Sequence, residues 1–290
     1  MSMMQTASEA KLQVLKLKQL PPLSPTAARL LELLSDENLS LNSLSRVIAQ
    51  DPAIAARILG VANSAYFGQT TPVHSVEDAV IRVLGLNMVK SLAFSIAISG
   101  AFDTTRCQGF DLEAYWHRSL ATATCSRLLC RGVVAEPRPD PDGAYLAGLL
   151  FDIGVLVLVH LFPEDYAQVL QAQRDDPQLD LSLLEEALIG LNSREAGAWL
   201  TDRWHLPDMI VRVVAQAPSR EADLACTLVG MVAEWVKSGF TAQQEPALHY
   251  REQMARLGLT IAQLERVQEE YIGKDEEIRS IASMLVKTPG

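Results

Sequence analysis

The chain has 290 residues, of which 49% are hydrophobic and 21% charged, with 16 Gly and 14 Pro. That composition excludes disordered and collagen-like chains and supplies enough apolar material for a core without staples. A formal net charge of −10 argues against general nucleic-acid binding, where affinity comes mostly from cationic contacts to phosphate.

Helix signals run along the whole chain. Ser24-Pro25 supplies an N-cap with proline at the first helical position, followed by the stripe Ala28, Leu30, Leu31 and Leu34. Ser40 precedes Leu41, Leu44, Val47 and Ile48 at spacings of three and four. Asp51-Pro52 repeats the cap-and-proline start ahead of Ile54, Ile58, Leu59, Val61 and Ala62. After a loop at Gly68–Pro72, Ser75 opens a capping box in which Asp78 stands where Glu is usual, and Gly85 closes that helix. Leu86–Phe102, apolar and rich in small residues, predicts a central buried helix. The polar stretch 103–110 breaks the pattern before a second helical block begins at Asp111.

A proline-rich loop, EPRPDPDG, covers Glu136–Gly143, and Tyr145–Phe162 is the most apolar stretch of the chain. Asp152 and two glycines within it argue for a buried core helix over a membrane span. Further helices are predicted at Leu181–Leu191, at Ser193–Trp204, after Leu206-Pro207, and from beyond Pro218 to Lys237. The polar loop TAQQEPA leads to a final pair, in which Thr260 with Gln263 forms a capping box and Gly273-Lys274 separates the last helix. No segment alternates apolar and polar residues over strand length, so the predicted fold is all-α. Cys107, Cys125, Cys130 and Cys226 form no CxxC pair and read as free, buried thiols of a reducing compartment. The N-terminus shows no apolar core of signal-peptide type, which predicts a cytoplasmic protein without a membrane span.

Asp152 is the first candidate site residue, because a carboxylate in so apolar a run is costly unless paired, metal-bound or capped. The plain reading is a helix-end acid with a local hydrogen-bond partner. His117, beside Trp116, is a second candidate. The helices Leu41–Gln50 and Ala53–Ala65 could form a helix–turn–helix, but between Asp51 and Ala65 the only charges are Asp51 and Arg57. A recognition helix needs polar side chains for base edges, so core packing is the better account. The chain holds no GxGxxG, no phosphate-loop motif and no GxSxG.

Several of these segments together resemble the HDOD family, the HD-related output domain of bacterial signalling proteins. The likeness is sharpest in QDPAIAARILGVANSAYFG (Gln50–Gly68), PVHSVEDAVIRVLGL (Pro72–Leu86), AGLLFDIGVLVL (Ala147–Leu158) and GAWLTDRWHLP (Gly197–Pro207). It begins near Leu20-Pro21-Pro22-Leu23, and LGLT at Leu257–Thr260 resembles the tail common in the family. The resemblance implies an N-terminal extension at 1–17 and an HDOD domain at 18–217, divided into an N-terminal lobe at 18–105 and an HD-like lobe at 110–217. C-terminal helices at 218–290 would pack on that domain or extend it.

The related HD phosphohydrolases hold divalent metals with histidines and an His-Asp pair, and this chain departs from that pattern. Where the superfamily carries His-Asp it has Phe151-Asp152, and where many relatives show Lys it has Val155. Arg118 and Ser193 stand at two further histidine positions, and the paired histidines of relatives fall near Ala217-Pro218. His117 is one residue from the aligned position, and one residue turns a helical side chain by about 100°. The departures imply that no metal or cofactor is bound and that the site is not catalytic. Arg118 is expected to pair with Asp152 where metal once neutralised it, with Phe151 and Val155 packing the old cavity.

The resulting expectation is a non-catalytic, response-regulator-type signalling module that acts through protein partners, with no membrane and no nucleic acid, and with a homodimer left open. Two alternatives stand beside it. One is a metal-dependent phosphohydrolase or phosphodiesterase acting on a nucleotide, with ligands such as His117, His160 and His205; the other is a DNA-binding regulator. Ile278, Ile281 and Leu285 form an apolar stripe on the last helix, a candidate interaction surface if it does not pack on the parent domain.

Overall fold

The computed structural model describes residues 22–34, 40–63, 71–216, 223–240 and 250–286. Outside them lie the 1–17 extension, the end of the first motif with most of the loop that follows it, Ala217-Pro218 and the TAQQEPA loop. The described residues contain no strand and fold as helices throughout.

In chain order, α1 (Pro25–Leu34), α2 (Leu41–Ala49), α3 (Pro52–Ala62), α4 (Val76–Ala79), a π-helical turn (Val80–Leu84) and α5 (Leu86–Ser99) build the first lobe. Local chemistry sets their starts. Ser40 accepts the Ser43 N–H, Asp51 those of Ala53 and Ile54, and Ser75 that of Asp78. Gly85, at φ +79°, ends the π turn by donating back to Val80 O at 3.0 Å. Ile54, Ile58, Val61 and Ala62 of α3 are buried, so the helix pair that could have read DNA uses its apolar face for the core. α5 lies across this lobe against α1 and α3, with Val89, Leu92, Phe94 and Ile98 buried.

The second lobe starts with the 19-residue α6 (Leu112–Cys130), followed by α7 (Pro141–Leu150), α8 (Ile153–Leu161), α9 (Pro163–Asp175), α10 (Leu181–Ile189), α11 (Ser193–Arg203) and α12 (Asp208–Ala215). The apolar run expected as one helix is two, parted at Phe151-Asp152. The stretch 141–161 has the length and hydropathy of a membrane span, but 78% of its most apolar window is buried inside the protein. α8 and α11 cross backbone to backbone. A Cβ on Gly154 would lie 1.7 Å from Ser193 O, and one on Gly197 would lie 3.1 Å from Gly154 N. Only glycine permits that approach, and it brings the start of α11 beside the start of α8.

Among the described residues four C-terminal helices follow: α13 (Leu224–Lys237), α14 (Arg251–Leu257), α15 (Ile261–Ile272) and α16 (Asp275–Val286). They return onto both lobes. α13, α15 and α16 pack on α6, and α16 also packs on α3. Arg57 of α3 donates to Leu285 O at 2.9 Å, and Gln263 of α15 donates to Gly132 O at 3.3 Å. The stripe Ile278, Ile281 and Leu285, expected as a candidate interaction surface, is only 2–4% exposed because that face of α16 is buried in this packing. It is core. All four cysteines are free; Cys107, Cys125 and Cys130 are buried, whereas Cys226 is half-buried.

Candidate functional site

A cavity of about 540 Å3 opens in the second lobe. It is lined from α6 by Arg118 and Thr122, one turn apart, and from the α7–α8 junction by Phe151, Asp152 and Val155. Tyr166, Leu170 and Gln173 form a stripe along α9. Ser193 and Arg194 come from the first turn of α11, and Glu234 and Lys237 from the end of α13. Arg118, Phe151, Asp152, Val155 and Ser193, far apart in sequence, are therefore brought to one cavity.

Asp152 occupies the N-cap position of α8, and its carbonyl accepts the Val155 N–H at 2.9 Å, but its side chain caps nothing. The reason is local. Asp51, Asp111 and Asp180 cap their helices from extended backbone, whereas Asp152 has φ −97° and ψ 20°. That geometry does not fold its carboxylate back onto the first turn. The side chain opens onto the cavity and keeps accessible surface there. Protein nonetheless crowds it closely enough for burial to push its carboxyl above the usual range, against the pull of Arg118, Lys237 and Arg194, in that order.

No hydrogen bond or ion pair joins Arg118 to Asp152, so the expected direct pair does not form; the two share the lining of the cavity without touching. Phe151 and Val155 line the space and do not fill it. One acid that sequence reasoning missed supports this region. Glu185 is fully buried on α10 and accepts the Ser193 N–H at 2.7 Å, the Ser193 hydroxyl at 2.8 Å and the Tyr166 hydroxyl at 3.3 Å. Burial pushes its carboxyl up, and these hydrogen bonds resist the shift. A faint signal existed, since Glu185 lies four residues before the buried Ile189 on the same face of its helix.

The three histidines of the enzymatic alternative do not converge. His117 Nε2 is 2.8 Å from Asp275 Oδ1, His160 Nδ1 accepts the Asp103 N–H at 3.0 Å, and His205 is exposed in the turn after α11. None lines the cavity.

A family model for the HDOD domain matches residues 20–219. The chain belongs to the HDOD family. A structure from Marinobacter aquaeolei VT8, provisionally assigned to signal transduction, is 26% identical with a TM-score of 0.79, covering 97% of this chain and 66% of that one. A structure from Shewanella amazonensis SB2B, provisionally assigned as a phosphohydrolase, is 24% identical with a TM-score of 0.72, covering 94% and 97%. An uncharacterized protein of Treponema pallidum (strain Nichols) is 25% identical over 207 residues, 69% of this chain and 37% of that protein. The chain thus spans little more than a third of the length of this curated relative.

The metal centre of the HD superfamily does not fit this HDOD cavity. Such a centre needs imidazoles and carboxylates converging on a divalent ion. Here Phe151 stands beside Asp152, no histidine lines the space, and Arg118, Arg194 and Lys237 surround the acid. Among the described residues no three His, Cys, Asp or Glu side chains are grouped to hold a metal. Asp111 and Glu234 share the lining with Asp152, but they are not grouped with it as ligands of one ion.

Proposed function

We propose that this HDOD protein is a non-catalytic signal-transduction module of the response-regulator output type, acting in the cytoplasm through protein partners. The observation that carries the reading is a cavity in which Phe151, Arg118 and Ser193 stand near Asp152 and no histidine joins the lining. Chemistry on phosphate esters in such a lobe relies on a metal to lower the pKa of bound water, and no histidine lines this cavity to help hold one. The provisional signalling assignment of the Marinobacter structure, at 26% identity, agrees with the reading. Both lobes are contacted by the C-terminal helices, so a change at the cavity has a packed route to surfaces outside it.

The test is phosphodiesterase and phosphatase assay of the purified chain with Mn, Ni, Fe or Zn supplied, alongside metal analysis of protein prepared without chelator. No turnover and substoichiometric metal are expected. Turnover that Asp152→Asn abolishes would overturn the proposal and establish the phosphohydrolase reading.

A further inference from the structure

Most large apolar side chains among the described residues are buried, and α10 departs from that rule. Leu183 is 65% exposed, Leu188 42%, and Leu179, just before the helix, 41%. Ala187 is exposed as well, and Leu184 is half-buried. Positions 183, 184, 187 and 188 are joined by steps of one and four residues, so they form one continuous face of the helix. The other exposed large apolar residues, Ile81, Val134, Ile261 and Ile272, stand singly along the chain. Scattered apolar residues need no explanation, whereas a continuous face on one helix points to a contact. The inner side of α10 is already in use. It packs on α9 and, less, on α11, with Glu185 and Ile189 turned inward and Leu181 and Ser182 lining the cavity.

Charge decides what can cover the outer face. Between residues 175 and 190 the chain has Asp175, Asp176, Asp180, Glu185 and Glu186 and no Lys or Arg. All but Glu185 are exposed. They accept from Gln171 Nε2, the Gln178 N–H, the Leu183 N–H and Asn192 Nδ2 respectively, and none of these donors is charged. The cations on either side are turned elsewhere: Arg174 donates to Gln171 Oε1 beside Gly109, and Arg194 lines the cavity. Pairing α10 with α10 of a second copy would therefore set acid against acid. The stretch KLQVLKLKQL (Lys11–Leu20), outside the described residues, has the complementary character, with three lysines, five Leu or Val and no acid in a chain of net charge −10.

We propose that the outer face of α10 docks this basic, apolar stretch of the chain's own sequence, its leucines on Leu183 and Leu188 and its lysines toward Asp176, Asp180 and Glu186. Apolar burial supplies the affinity, and the complementary charge sets the choice of occupant. The same helix walls the cavity through Leu181 and Ser182 and holds Ser193 through Glu185, so a guest on its outer face bears on the cavity wall. The inference goes beyond the regulatory reading and does not depend on it.

Carbodiimide cross-linking of the full chain joins lysine amines to carboxylates in contact, and mass spectrometry of the linked peptides tests the docking. Links from Lys11, Lys16 or Lys18 to Asp176, Asp180 or Glu186 are expected in preference to links to Glu113 and Glu265, which are exposed on other helices. Mixing ordinary and isotope-labelled chains tells links within one chain from links between two copies, and either places the stretch on α10. Leu183→Asp alters a side chain that lies outside the core, and it should speed trypsin cleavage after Lys16 by about tenfold by removing one buried leucine contact. Thermal melts establish that the variant is folded.

Links to Glu113 and Glu265 as frequent as those to α10 overturn the proposal. So does cleavage after Lys16 that is equally fast in the wild type and in folded Leu183→Asp.

Discussion

His117 Nε2 lies 2.8 Å from Asp275 Oδ1, which ties the middle of α6 to the first turn of the last helix. Asp275 also accepts the Tyr271 hydroxyl at 2.6 Å and Arg279 Nε at 2.8 Å. Arg118, next to His117 in sequence, lines the cavity, so successive residues of α6 serve two places about 100° apart on the helix.

Asp275 is accordingly a structural acid. Burial alone would raise its carboxyl, but the bonds from Tyr271, Arg279 and His117 outweigh that and hold it below the usual range. A depressed folded value means that the ionised form favours folding. The contribution is complete above the ordinary carboxylate range and is lost as pH falls through the depressed value. Asp275→Asn should cost about 1–3 kcal/mol at neutral pH, with the deficit shrinking on acidification. Denaturant unfolding at a series of pH values measures both.

Asp152 should behave in the opposite sense. Its carboxyl is raised, so the folded chain holds a proton more tightly than the unfolded one. Stability is then eroded as pH climbs from the ordinary carboxylate range through the raised value. Asp152→Asn should melt higher than wild type at neutral pH, and the two should converge in acid. A variant that melts lower at neutral pH would contradict this.

The α8–α11 crossing predicts a sharp contrast between two glycines. Gly154→Ala places a Cβ 1.7 Å from Ser193 O, which the backbones relieve only by separating, at a cost of about 3 kcal/mol or more. Gly230→Ala, on α13, meets nothing within 4 Å and should stabilise the helix by about 0.5–1 kcal/mol. Parallel unfolding curves compare them directly.

Glu185 predicts a difference between isosteric and truncating changes. Glu185→Ala leaves the Ser193 N–H without its acceptor, a loss of about 1–3 kcal/mol. Glu185→Gln keeps an acceptor oxygen for Ser193 and should lose less. Hydrogen exchange at the Ser193 amide separates them, fast in the alanine variant and slow in the glutamine one.

The parts legible in the sequence are those governed by local chemistry. Ser40, Asp51, Ser75 and Thr260 announce helix starts because a cap is decided within three residues. The division at Phe151-Asp152 escaped notice because a uniformly apolar run has no periodicity to interrupt. The stripe of Ile278, Ile281 and Leu285 was visible as a stripe, but amphipathicity does not say whether its partner lies inside or outside the chain. At the cavity, Arg118, Phe151, Asp152, Val155 and Ser193 were singled out from motifs, and they share one lining. Arg194 and Lys237 were not, since helices separated by forty residues bring them to Asp152, and no spacing rule records that. Reading Arg118 and Asp152 as directly bonded assumed that opposite charges at neighbouring positions close on each other, whereas the helices hold them on a common lining.

The contact between Gly154 and Gly197 also divides the cavity into a fixed side and a compliant one. Two main chains already touching have no slack to take up, so Phe151, Asp152, Val155 and Ser193 form an anvil. Adjustment at the cavity falls to α6, α9 and α13, of which α6 and α13 present Arg118 and Lys237 through long side chains. α6 also packs against α13, α15 and α16, so displacement at the cavity is steered toward the tail of the chain.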